Sequence, residues 1–129
     1  VAKSVKAKNV LITGAETRTT TAQIEGGVKH DQDKPDFSHM TWELMEAHAR
    51  VRMFGAIKYE RDNWHKGFKI TRSLAAALRH IFKFLGGEDN DPESGLNHLG
   101  HAVCCLEHAL HDYLYRKYND DRRKPGSSV

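Results

Sequence analysis

The spacing of apolar residues between Leu74 and Leu85 constrains this chain more than any other feature. Leu74, Ala77, Leu78, Ile81, Phe82 and Leu85 recur at i, i+3, i+4, i+7, i+8 and i+11, and Gly86-Gly87 ends the run. Only an α-helix gathers that spacing onto one side, and paired glycines stop a helix. Leu96, Leu99, Val103, Leu106, Leu110 and Tyr113 then alternate steps of three and four, the pattern of a packing seam. This predicts a further helix over about 96–118, with Arg116 and Lys117 suiting its C-terminal dipole. Thr71 or Ser73 is placed to cap the first of these two helices. An earlier helix, capped by Ser38 or Thr41 and striped by Leu44, Ala47, Val51 and Phe54, runs to about Gly55. Residues 57–70 read as irregular. The fold expected is all-α: a small helical bundle of three main helices with a long N-terminal arm.

Residues 1–25, rich in Lys, Thr and Ala, read as that flexible arm, with Val10-Leu11-Ile12 as a short strand or docking segment. Residues 119–129 read as a basic disordered tail. Much of the net charge of +3 is terminal, in Lys3, Lys6 and Lys8 and in Arg116, Lys117, Arg122, Arg123 and Lys124. Tails of this kind read as solvated rather than as nucleic-acid-binding. Apolar content is modest for 129 residues, so the core is expected to be small and completed by homo-oligomerisation. No run approaches the roughly 20 apolar residues of a membrane span, and no apolar segment follows the basic start as in a secretory signal. Cys104 and Cys105 are adjacent in a helical pattern, point about 100° apart and do not suit a disulfide. Reduced thiols and a cytoplasmic setting follow.

The chemistry concentrates between Gly86 and His101. Glu88, Asp89, Asp91 and Glu93 crowd a glycine-bounded loop, and His98 and His101 follow at the start of the next helix. Acids and imidazoles converging on one helix start suit a divalent metal or a polyphosphate. His98, His101, Cys105, His108 and Asp112 repeat at helical spacing on a face roughly opposite the leucine seam. For His108 and Asp112 the expectation is a wet helix face; for His98 and His101, fed by the acidic loop, it is a site. His80, beside Arg79, lies off the leucine face of the preceding helix. If the two helices are antiparallel, His80, Asp91, Glu93, His98 and His101 cluster.

Other assignments fit less well. The acidic loop is no EF-hand, since its twelfth position is Gly100. His30-Asp31 and His111-Asp112 spell a metal-phosphohydrolase dipeptide but sit outside the cluster. Lys29 and Lys34 lie in a glycine-led loop suited to an anion, although the Gly-Lys-Ser/Thr ending of a P-loop is absent. Lys58, Tyr59, Asn63 and Trp64 offer a cation, two aromatics and an amide, a set able to stack on and read a base.

Taken in order, Gly27-x-Lys29-x-Asp31-x-x-Lys34, Phe54-Gly55-Ala56-x-Lys58-Tyr59, Asn63-Trp64, Arg79-His80 and Asp91-Pro92-Glu93-Ser94-Gly95-x-x-His98-x-x-His101-Ala102 resemble the phage dATP/dGTP diphosphohydrolase family. These are MazZ-type enzymes, related in activity to the all-α MazG pyrophosphohydrolases. The resemblance covers about residues 26–115 and makes 26–118 a helical nucleotide-binding and hydrolase domain. It implies removal of diphosphate from dGTP or dATP to leave the monophosphate, in phage nucleotide metabolism.

MazG relatives hold magnesium through Glu-x-x-Glu and Glu-x-x-Asp helix motifs. Here His98-Leu99-Gly100-His101 stands in such a place. The expected site therefore binds Mg²⁺ or Mn²⁺ through Asp91, Glu93, His98 and His101, with His80 or Glu93 as base. Lys29, Lys34, Lys58 and Arg79 hold the phosphates, Tyr59 and Trp64 with Asn63 serve the base, and Asp31 is a further substrate-binding residue. The alternative is a nucleotide-sequestering protein that hydrolyses nothing.

Overall fold

The computed structural model describes residues 26–126; the expected arm at 1–25, with its Val10-Leu11-Ile12 segment, and the last three residues of the basic tail lie outside them. The chain divides into two compact units between Met40 and Thr41. In the first, Lys34 N–H closes a turn on Asp31 O at 3.0 Å. A 3-10 turn, Phe37–His39, follows, capped by the Asp36 carboxylate on Ser38 N–H at 2.9 Å.

The second unit holds three helices, α1 (Trp42–Lys58), α2 (Ile70–Leu85) and α3 (His98–Tyr115). Among the described residues there is no strand, only an isolated bridge between Asn90 and Asn97. The all-α expectation is met. α2 and α3 pack most extensively and run antiparallel. Thr71, at the start of α2, binds Asp121 beyond the end of α3, while His80, late in α2, meets His98 at the start of α3. α1 crosses α3 at Gly100, where a Cβ would lie 3.4 Å from Val51 Cγ2. A Cβ there would just touch Val51, and a side chain longer than alanine would push the two helices apart.

Helix ends depart from expectation by a few residues. Thr41 caps α1 through Leu44 N–H, but the helix continues past Gly55 to Lys58, because the Gly55 carbonyl still accepts from Tyr59 N–H at 2.9 Å. α2 begins at Ile70, and neither Thr71 nor Ser73 caps it. Thr71 commits its N–H and hydroxyl to Asp121 at 3.0 and 2.6 Å, and Ser73 is buried. α3 starts at His98, where the Asn97 side chain accepts Leu99 N–H at 2.8 Å, and stops at Tyr115 before a 3-10 turn, Lys117–Asn119.

The larger correction concerns which face points inward. Leu99, Val103, Leu106, Leu110 and Tyr113, read as a packing seam, are exposed on α3, Leu106 by 46%. The opposite stripe is buried: His98, His101 and Asp112 are each less than a tenth exposed, and Cys105 and His108 are half-buried. Two of these, His108 and Asp112, were expected to be wet. The buried apolar side chains among the described residues are Val51, Ile70, Ala77, Ala102, Cys104 and Ala109, mostly small. Polar residues therefore occupy much of the interior, and burial requires that they find partners.

Asp112 shows how they do. It is 1% exposed and accepts Phe68 N–H at 3.0 Å and the Asn119 amide at 3.2 Å, with Arg116 at 3.7 Å. One carboxylate thus ties the α1–α2 connection and the C-terminal turn to α3. Gly67, at φ +89°, passes so close that a Cβ would sit 2.8 Å from the Asn119 amide and 3.1 Å from Asp112 Oδ1. Only glycine meets both demands.

Candidate functional site

The loop between α2 and α3 is stiffened by its own backbone. Glu88 N–H returns to Lys83 O at 3.0 Å; Asp91 N–H reaches Leu96 O at 2.8 Å; His98 N–H reaches Asp89 O at 2.9 Å. Asp91 Oδ1 accepts Glu93 N–H at 2.9 Å, closing an Asx-type turn. These bonds hold Glu88, Asp91 and Ser94 over the start of α3, where His98 and His101 meet His80 from α2.

His80, His98 and His101 form one cluster. His80 Nδ1 lies 2.9 Å from His98 Nδ1, and the His80 and His101 rings stack in parallel with centroids 4.7 Å apart. His98 Nε2 meets Glu88 Oε1 at 2.8 Å. A carboxylate only accepts, so His98 donates to it from Nε2. Between the two Nδ1 atoms one ring donates and the other accepts. His101 Nε2 pairs with Ser94 Oγ at 2.7 Å, lies 4.0 Å from Asp91 Oδ2, and meets the edge of the Phe54 ring.

Electrostatics keep this cluster ready for a cation. Burial lowers the pKa of His80, and its histidine neighbours lower it further against Asp91. Burial likewise lowers that of His101, although Asp91 pulls the other way. Burial acts to raise Asp91, but the Glu93 N–H and the nearby imidazoles outweigh it and hold the carboxyl below its ordinary value. Neutral imidazoles beside an ionised carboxylate are the protonation states that ligate metal. Among the described residues, His80, Asp91 and His98 each bring one donor atom within 4.8 Å of the others. Two imidazoles and a carboxylate, with Glu88 fixing one ring from behind, fit a divalent cation of intermediate softness.

Other expected residues divide into those near this cluster and those elsewhere. Glu93 pairs with Lys58, Oε1 at 3.0 Å and Oε2 at 2.8 Å. This links the end of α1 to the loop beside His101. The Lys58 ammonium also lies 5.3 Å from the centre of the exposed Tyr59 ring. Arg79 is exposed beside His80. Trp64 is not brought to the cluster. His108 stacks on it in parallel at 5.5 Å, the Arg52 guanidinium lies 4.5 Å from its ring centre, and His65 and His111 take its surroundings. Asn63 opens the 3-10 turn that delivers it, Asn63–Lys66. In the first unit, Lys29, Asp31 and Lys34 line an open cleft of 520 Å³.

Two residues joined to the cluster had no role assigned from sequence. Glu88 lay within the acidic loop, but only the fold turns it towards His98. Ser94 lay within the Asp91–Gly95 motif, and only the turn aims its hydroxyl at His101.

Residues 25–122 match the family model described as dATP/dGTP diphosphohydrolase, N-terminal. The chain belongs to this family. A phage protein named dATP/dGTP diphosphohydrolase, from Salmonella phage PMBT28, is 39% identical to it over 97 residues, which are 75% of this chain and 33% of that protein. The chain thus spans about a third of the length of this curated relative. No solved structure matches it. Family membership covers both units and all the residues of the histidine cluster. No helix among the described residues is long and apolar enough to cross a membrane.

Proposed function

We propose that this chain hydrolyses purine deoxynucleoside triphosphates, dGTP or dATP, to the monophosphate and diphosphate in the cytoplasm of a phage-infected cell. Family membership supports the substrate class, and the relative's name carries the reaction type. The observation that carries the reading is the convergence of His80, Asp91 and His98, one donor atom each within 4.8 Å of the others, with Glu88 behind His98.

In this reading His80, Asp91 and His98 hold Mn²⁺ or Mg²⁺, and the two imidazoles favour Mn²⁺. A divalent cation supplies positive charge against phosphate oxygens and acidifies water at neutral pH. His101, kept neutral by burial, takes the proton of the water that attacks the α-phosphorus. The new P–O bond forms as the bond to the diphosphate oxygen breaks, and the electron pair leaves with the diphosphate. Lys58 exchanges Glu93 for a phosphate oxygen at the exposed mouth, and Arg79 offers a second cation there. Tyr59, on the same side as Lys58, serves the purine. Within the first unit, Lys29 and Lys34 line a cleft of their own suited to an anion.

The test is to incubate the purified protein with each of the four dNTPs, with and without Mn²⁺, and resolve the products by chromatography. The expected result is dGMP or dAMP with diphosphate, dependent on the metal and lost in His98→Ala. No monophosphate from either purine dNTP, or a His98→Ala variant as active as wild type, would sink the reading. Intact purine nucleotide recovered from the protein would instead favour sequestration. That second reading has an observation of its own: His80 and His98 are already hydrogen-bonded to each other, His98 to Glu88 and His101 to Ser94.

A further inference from the structure

The apolar seam of α3 is left exposed along its length, with the Lys117 ammonium at 4.3 Å and the Arg122 guanidinium at 5.7 Å over the Tyr113 ring at its end. Leu99, Val103, Leu106, Leu110 and Tyr113 follow one another at steps of four, three, four and three, and every one is exposed. They form a strip about 21 Å long at 1.5 Å per residue. α2 carries a matching strip: Leu78, Phe82 and Leu85 are more than half exposed, Phe82 by 67%.

The two strips share a side. On α3 the seam lies roughly 80° round from the mean direction of buried His98, Ala102 and Ala109. On α2, Leu78, Phe82 and Leu85 lie roughly 115° round, in the same sense, from buried Ile70, Ser73 and Ala77. The helices are antiparallel, so equal rotations in the same sense bring both strips to one face of the pair.

We propose that this α2–α3 face binds the same face of a second copy of the chain. Three observations favour a second copy. Steps of three and four are those at which helices interlock as knobs into holes, and such a seam complements its own image. Isologous pairing needs one patch to serve on both protomers, as here. The area also suffices. Eight side chains, each presenting on the order of 150–200 Å² when bare and roughly half exposed, leave about 700 Å², close to the ~800 Å² per partner of a standard interface. A chain whose interior is built from small apolar residues and paired polar ones gains there the apolar burial it lacks within one protomer. The pairing would leave the histidine cluster, which faces the other way on α3, open to ligand.

The test is sedimentation equilibrium of the full chain between about 1 and 100 μM, a range that brackets dimer constants in the micromolar class, for wild type, Leu106→Lys, Leu110→Glu and the α1 control Met53→Lys. The expected result is a dimer for wild type and Met53→Lys and a monomer with unchanged helicity for the two seam variants. A wild-type monomer at the highest concentration overturns the proposal, whether the face then stays bare or another part of the chain covers it. So does a dimer that survives both seam substitutions. A photo-crosslinking benzoylphenylalanine at position 106 keeps the test decisive if a charged variant misfolds. Crosslinks to α2 or α3 of a second copy support the proposal, and crosslinks confined to other segments overturn it.

Discussion

Replacing Asp112 gives the sharpest test of the inverted helix face. Its carboxylate accepts Phe68 N–H and the Asn119 amide at 1% exposure, with Arg116 as a more distant cation. Asp112→Ala removes two charge-assisted hydrogen bonds and leaves both donors without an acceptor. Each loss is worth about 1.5–3 kcal/mol, so the variant should fall by about 3–5 kcal/mol. Asp112→Asn keeps one acceptor oxygen but loses the charge and should cost about 1–2 kcal/mol. The assay is urea unfolding followed by far-UV circular dichroism at one fixed protein concentration, because any self-association adds to stability. With a slope of about 1.5 kcal/mol per molar, the midpoint should drop by about 2–3 M for Asp112→Ala and about 1 M for Asp112→Asn. Total stability is only about 5–15 kcal/mol, so the alanine variant should be close to unfolding. A drop under about 0.5 M for Asp112→Ala would show that the residue is solvated. The wet-face reading of the helix would then be restored.

Two further outcomes follow from the same buried face. Burial pushes the His108 pKa down to about 4, against the repulsion-free value of 6.5 it regains on unfolding. The unfolded chain therefore binds the extra proton. Its contribution is complete above pH 6.5 and is lost as pH falls towards 4, by on the order of 1–2 kcal/mol after solvent screening. The urea midpoint should fall over that window, and His108→Gln should flatten the slope; an equal slope in the variant refutes the assignment. For the cation site, Glu88→Gln should weaken Mn²⁺ binding about 10- to 100-fold by titration calorimetry, because it removes the carboxylate that orients His98. Unchanged affinity would mean that His98 Nδ1 is not a ligand.

Much of the fold was legible in sequence for a simple reason. Helical spacing and glycine punctuation are local, so Leu74–Leu85 and Leu96–Tyr113 announced their helices, and the short loop between them allowed an antiparallel pairing. The clustering of His80 with Asp91, His98 and His101 followed from that pairing. Capping was less legible. Thr71 has the chemistry of a cap, but Asp121, fifty residues away, competes for it. Asn63-Trp64 had the composition of a base-reading pair, but the turn lays Trp64 against His108 and Arg52.

The sequence by itself determined that α3 has two stripes, one of leucines and one of histidines and an aspartate, on opposite sides. It also determined that acids precede the histidine stripe. Which stripe turns inward was decided only in three dimensions. A polar face is buried when every group on it finds a partner, and those partners come from α2, the acidic loop, the Phe68 amide and Asn119. All of them lie outside α3, so the spacing along that helix carries no information about them. Once they satisfy the polar face, the leucines are left to the outside.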